Sequence, residues 1–144
     1  MKYLKRYESN DFDIKKEYLS DLLSDANLNG VSFKWHFSSD ITVYIKSKIY
    51  SINNDTWHPA RTNYECFSLS NYLEEILHFI SYMYSDGYKL VDSSYAKIHD
   101  FRYEPHFYNL DICPSKNINQ ILEHCRIKLD DSNICDIYLN FKLI

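Results

Sequence analysis

The sequence predicts an α+β fold: a single domain over residues 1–144, built as one antiparallel sheet with helices on one face. Three observations carry that reading. Apolar residues recur at helical spacing in three segments and alternate with polar residues in five others. The chain has two glycines, Gly30 and Gly87, and each closes a helical run and opens a strand, where a residue without Cβ adopts the left-handed conformation at no steric cost. A composition of 45% hydrophobic and 25% charged residues over 144 positions is that of a soluble domain with one sizeable core.

The elements follow in order. After a short opening segment, Lys2 to Glu8, the acidic residues Asp11 and Asp13 suit the positive end of a helix dipole. Ile14, Tyr18, Leu22 and Ala26, with Leu19 and Leu23 beside them, form an apolar helix face up to Gly30. Val31, Phe33, Trp35 and Phe37 alternate with Ser32, Lys34 and His36 in a strand. Ser38, Ser39 and Asp40 turn the chain into a second strand, with Ile41, Val43, Ile45 and Ile49 inward. Residues 51–67 form a long connection. Ser68 or Ser70 caps a second helix, which buries Leu69, Leu73, Ile76, Leu77, Ile80 and Met83 before Gly87. Tyr88 to Ile98 reads as a strand made irregular by Asp92, Ser93 and Ser94. Phe101, Tyr103, Phe107 and Leu110 mark its partner, which Pro105 sends to an edge or a bulge. Asn117 and Gln120 have capping-box spacing at the head of a third helix, with Ile118, Ile121, Leu122 and Cys125 inward. Ile137, Leu139, Phe141 and Leu143 alternate in a last strand. Without its first helix and strand the order is β-α-β-β-α-β, the split βαβ order of ferredoxin-like domains.

Composition excludes several function classes. With both glycines serving as helix ends, none remains for a phosphate loop, a dinucleotide fingerprint or a nucleophile elbow. A net charge of −4 gives no global attraction to nucleic acid or anionic lipid, so such binding needs a local basic patch. The apolar stretch Ile76 to Ile80 is interrupted by His78 and falls well short of a membrane span, and no apolar signal region follows Met1. A cytoplasmic location is the expectation. Four cysteines, Cys66, Cys113, Cys125 and Cys135, have irregular spacing and fit reduced thiols better than a disulfide framework.

Catalytic patterns are weak. His99-Asp100 resembles a metal-phosphohydrolase pair but lies at a strand turn rather than in a helical ligand set. His36-Phe37-Ser38 matches one half of the repeated H-x-[ST] signature of 2H phosphoesterases, and no second copy follows any other histidine. Glu104 and His106 on one strand illustrate an acid/base pair that any chain with six histidines offers. Cys113, His124, Cys125 and Cys135 lack the close ligand pairs of a structural zinc site, and Cys125 falls on an apolar stripe. No catalytic residue, metal ligand or cofactor is therefore assigned.

Two binding surfaces stand out. Fourteen tyrosines, eight phenylalanines and two tryptophans supply contact residues of large area, although an AT-rich genome also favours tyrosine codons. The long connection carries Trp57, His58 and Arg61, an anchor set typical of protein interfaces, and Tyr44 and Tyr108 join it from the sheet face as partner-binding candidates. Trp57 equally serves as a plug for one end of the core. The same sheet face, by alternation, carries Lys34, His36, Lys46, Lys48, Arg102 and His106 beside its tyrosines, a set suited to nucleic acid or a nucleotide. Those lysines and tyrosines are also ordinary solvent-side strand residues, and no RNP-like signature is present.

The opening Met1-Lys2-Tyr3-Leu4-Lys5-Arg6-Tyr7-Glu8, followed by an acidic amphipathic helix, resembles the M-K-x-[IL]-K-x-[FY]-E start of small accessory proteins of tailed bacteriophages. The resemblance covers about eight residues and transfers no catalytic residue. It implies a counter-defence inhibitor that binds a host protein, or a minor virion or assembly component, at work in the host cytoplasm. The expected function is thus non-enzymatic binding of a protein partner, with nucleic-acid or nucleotide binding as the alternative. Homodimerisation through a strand edge is left open.

Overall fold

The computed structural model describes the backbone of residues 2–28, 30–51, 64–98, 105–113 and 115–143, and side chains within 12–26, 30–48, 67–98, 105–113 and 115–143. The helices are α1 (Lys2–Leu22), α2 (Ser24–Leu28), α3 (Leu73–Ser85) and α4 (Ile118–Leu129), with a 3-10 turn at Leu69–Tyr72 leading into α3. The strands are β1 (Ser32–Phe37), β2 (Asp40–Lys46), β3 (Ile49–Ser51), β4 (Tyr64–Cys66), β5 (Tyr88–Ile98), β6 (Pro105–Asn109) and β7 (Ile134–Leu143). Five of them make a fully antiparallel sheet in the order β1-β2-β7-β5-β6, and β3 and β4 pair separately.

Local signals explain the element ends. Gly30 and Gly87 both have φ of +86°, as left-handed helix terminators require. Gln120 N–H donates to Asn117 Oδ1 at 3.0 Å and Asn117 N–H to Gln120 Oε1 at 3.1 Å, a complete capping box at the head of α4. Ser68, in contrast, makes no side-chain cap; its hydroxyl meets that of Ser70 at 2.6 Å. The strand expected to run on to Ile49 ends at Lys46, and Ile49 begins the separate pair with β4.

The helices bury their apolar residues on one side of the sheet. Leu19, Leu23 and Ala26 join Ile76, Phe79, Ile80 and Met83 of α3 and Ile121, Cys125 and Leu129 of α4 over Val43, Ile45, Leu139 and Phe141. Phe79 stands edge-on to Trp35 and Phe141 at 6.0 and 5.8 Å, which ties edge and centre together. The buried face of α1 differs from the expected one: Ile14 is 51% exposed, and Lys15 lies buried. The Lys15 ammonium donates to Asp86 Oδ2 at 2.5 Å and lies 5.5 Å from the ring centres of both Tyr82 and Tyr88, so a cation occupies a core position.

Strand order departs from the ferredoxin-like expectation. That arrangement places the first and third strands of the β-α-β-β-α-β run at the centre, whereas here the second and fourth, β5 and β7, are central. Each β-α-β crossing still skips one strand: β7 lies between β2 and β5, and β5 between β7 and β6. The physical reason lies in the edges. β6, headed by Pro105 and exposed along most of its length, suits an outer position, while β7 buries half of its residues.

Candidate binding face

Directly paired residues on neighbouring strands share a face of the sheet, so the register defines the side turned away from the helices. One row across it reads Ser32, Lys46, Asp136, Ala96, Phe107, and the next Lys34, Tyr44, Tyr138, Ser94, Asn109. A third holds His36, Thr42, Asn140 and Val91, and a fourth Asp40, Lys142 and Lys89. The first two rows enclose a groove of about 310 Å³, lined by Tyr44, Lys46, Ser94, Phe107, Asp136 and Tyr138. Ala96 and Ser94 are small, which leaves the depth between the ring walls. The Tyr44 and Tyr138 rings meet at 4.7 Å with planes inclined by 52°, a wedge rather than a parallel stack.

A bulge in β5 creates this geometry. Between Val91 and Ser94 the strand carries one residue more than β7, and Asp92 has φ of +36°. Ser93 resolves the broken ladder: its hydroxyl donates to Val91 O at 2.8 Å and accepts from Asn140 N–H at 3.1 Å, while Leu110 N–H donates to Ser93 O at 2.8 Å. Beyond the bulge the alternation is inverted. Phe107, expected inward, stands on the open face and is 70% exposed.

The same inversion corrects two expected positions. Tyr108 pairs with Tyr95 and stacks on it at 5.4 Å on the helix side, where the Lys97 ammonium approaches both rings and pairs with Asp131 at 2.6 Å. His106 pairs with Lys97 and lies on that side too. Neither shares a face with Tyr44. Lys34, His36 and Lys46 do share it, and Lys48 follows the end of β2 beside Gly30. Trp57, His58, Arg61 and Arg102 lie outside the described residues. Phe107, Ser94 and Ala96 are the groove residues that alternation missed; the run Asp92-Ser93-Ser94 was the signal for the bulge.

The electrostatics of the groove centre on Asp136. Burial pushes its carboxyl above the ordinary range, against the opposing pull of Lys46 on the adjacent strand. Among the described residues no group hydrogen-bonds that carboxylate. Burial, followed by the neighbouring Tyr44, also raises the Tyr138 phenol, which stays a neutral donor. Elsewhere Cys113 is exposed, its thiol held below the usual range by a hydrogen bond with Ser115, while burial pushes the Cys125 thiol up to about 12. Among the described residues no three His, Cys, Asp or Glu side chains converge to hold a metal, and no helix is long and apolar enough to cross a membrane.

Fold and face together define an α+β domain whose described helices pack on one side of the sheet and whose other side carries an aromatic groove, next to a small buried cluster of Ala96, Ile98 and Cys135. Comparison with protein-family models, with curated proteins and with solved structures found no match to this chain.

Proposed function

We propose that this chain is a non-enzymatic binding module that docks a protein partner on the open face of its sheet. The observation that carries the reading is the groove itself: two tyrosines and a largely exposed phenylalanine around small floor residues, on a face to which the described helices contribute no core residue. Aromatic side chains around a pocket are the usual anchors of protein interfaces. Trp57, His58 and Arg61 lie outside the described residues and are candidate contacts by residue type alone. The opening octapeptide supports an accessory role for a tailed bacteriophage, as a host-defence inhibitor or a minor virion or assembly component, acting in the cytoplasm of the host.

The test is capture from bacterial lysate, followed by reconstitution with the purified partner. Tyr44→Ala/Phe107→Ala is expected to weaken binding by about tenfold or more, with the melting temperature retained. Trp57→Ala/Arg61→Ala tests the connection separately. Unchanged affinity in both double variants would sink the reading. A second reading, nucleic-acid or nucleotide binding, is favoured by Lys34, His36 and Lys46 on the same face. It predicts nuclease-sensitive capture and an affinity that falls steeply with salt.

A further inference from the structure

We propose that the groove receives a single cationic side chain, a lysine or arginine of the protein partner, with Asp136 as counter-ion and Tyr44, Tyr138 and Phe107 as walls. This rests on the reading of the open face as a docking surface and names what enters it. The argument begins with Asp136. Asp136 is half-buried and lines the groove, and none of the described groups donates a hydrogen bond to its carboxylate. Lys46 sits opposite on β2, exposed, and acts through space only; burial outweighs it, since the carboxyl stays above its ordinary range. An incoming ammonium or guanidinium would remove that mismatch by donating to the carboxylate oxygens.

The walls agree. Tyr44 and Tyr138 form an inclined wedge and Phe107 stands across the Ala96 floor, so aromatic side chains border the groove on two sides, a lining that suits a cation. The fold already uses this chemistry twice: Lys15 lies over the Tyr82 and Tyr88 rings with Asp86 as a counter-ion, and Lys97 over the Tyr95 and Tyr108 rings with Asp131. The surroundings set specificity. Lys46 lines the groove beside Asp136, and Lys34, Lys89 and Lys142 occupy its margins; together they repel a uniformly basic surface, so the inserted cation should stand among neutral or acidic neighbours.

The experiment titrates isotope-labelled protein with N-acetyl-arginine methylamide, the lysine counterpart, the neutral norleucine counterpart and AMP, following the resonances of Tyr44, Phe107 and Tyr138. Saturable shifts with the two cations, absent with norleucine and weakened about tenfold or more by Asp136→Asn, are the expected result. Equal binding of norleucine, indifference to Asp136→Asn, or no saturable cation binding would each overturn the proposal. Binding of AMP alone would overturn it in favour of a nucleotide. If the protein partner is lost with Tyr44→Ala/Phe107→Ala but retained fully by Asp136→Asn, the docking surface stands and the cation does not.

Discussion

Lys15 occupies a fully buried position in α1, and its stability depends on a residue 71 positions away, Asp86 at the end of α3. Removing Asp86 takes a counter-ion away from a buried cation, whereas replacing the cation by an apolar group of similar length removes the charge with it. Asp86→Ala should therefore destabilise more than Lys15→Met, which should cost less than about 1.5 kcal/mol, as read from urea unfolding. The reverse order would refute this account of the pair. Asp136 gives a pH signature. Its folded pKa is raised, so its contribution to stability is complete below the unfolded value of about 3.9 and is lost as pH rises through the folded one. Asp136→Asn should melt higher than wild type near pH 7, with the gap closing toward pH 4; a lower melting temperature at neutral pH would contradict the stated burial. Neither residue was legible as special in the sequence. A helical pattern counts Ile14 as core and Lys15 as surface, and only the aromatic and acidic groups brought up by α3 and β5 invert that choice.

The helix ends set by glycine and by the capping box were legible because their physics is local, whereas the start of α1 at Lys2, expected near Asp11, and the end of β2 at Lys46, expected near Ile49, were not. Both glycines terminate helices with φ of +86°, and the Asn117-Gln120 box closes as its spacing implies. Alanine at either glycine imposes a left-handed conformation that costs a side chain about 1–2 kcal/mol. At Gly87 a new Cβ would meet only Leu143 at 3.6 Å, an ordinary contact, whereas at Gly30 it would lie 3.0 Å from the Lys48 Cβ. Gly30→Ala should accordingly destabilise more than Gly87→Ala, a ranking that paired denaturant titrations decide. The face of β6 was not legible. It depends on the phase of β5, and one extra residue at Asp92-Ser93 reverses every side chain beyond it. Phe107, apolar and alternating with His106 and Tyr108, therefore read as core when it is the outer wall of the groove.

Across the whole molecule the core is continuous from Trp35 through Phe79 to Phe141, and Phe141, a fully buried ring on the central strand, pairs with Ile41 on one side and Leu90 on the other. Phe141→Ala should cost about 3–5 kcal/mol and lower the melting temperature as one cooperative transition; separate transitions for the two halves of the sheet would show that they are coupled less tightly than this packing requires. Fold class and element order were legible from periodicity, but strand order was not, because alternation specifies which face a strand buries and says little about its neighbours. That order shapes how the protein is made. Two hairpins, β1-β2 and β5-β6, are synthesised before β7, and each has an inner edge that stays unpaired until β7 pairs between them. The nascent chain thus passes through a stage with two open backbone edges, and the last strand acts as the key that joins both halves, making its delay or loss the point at which this fold is most exposed to mispairing.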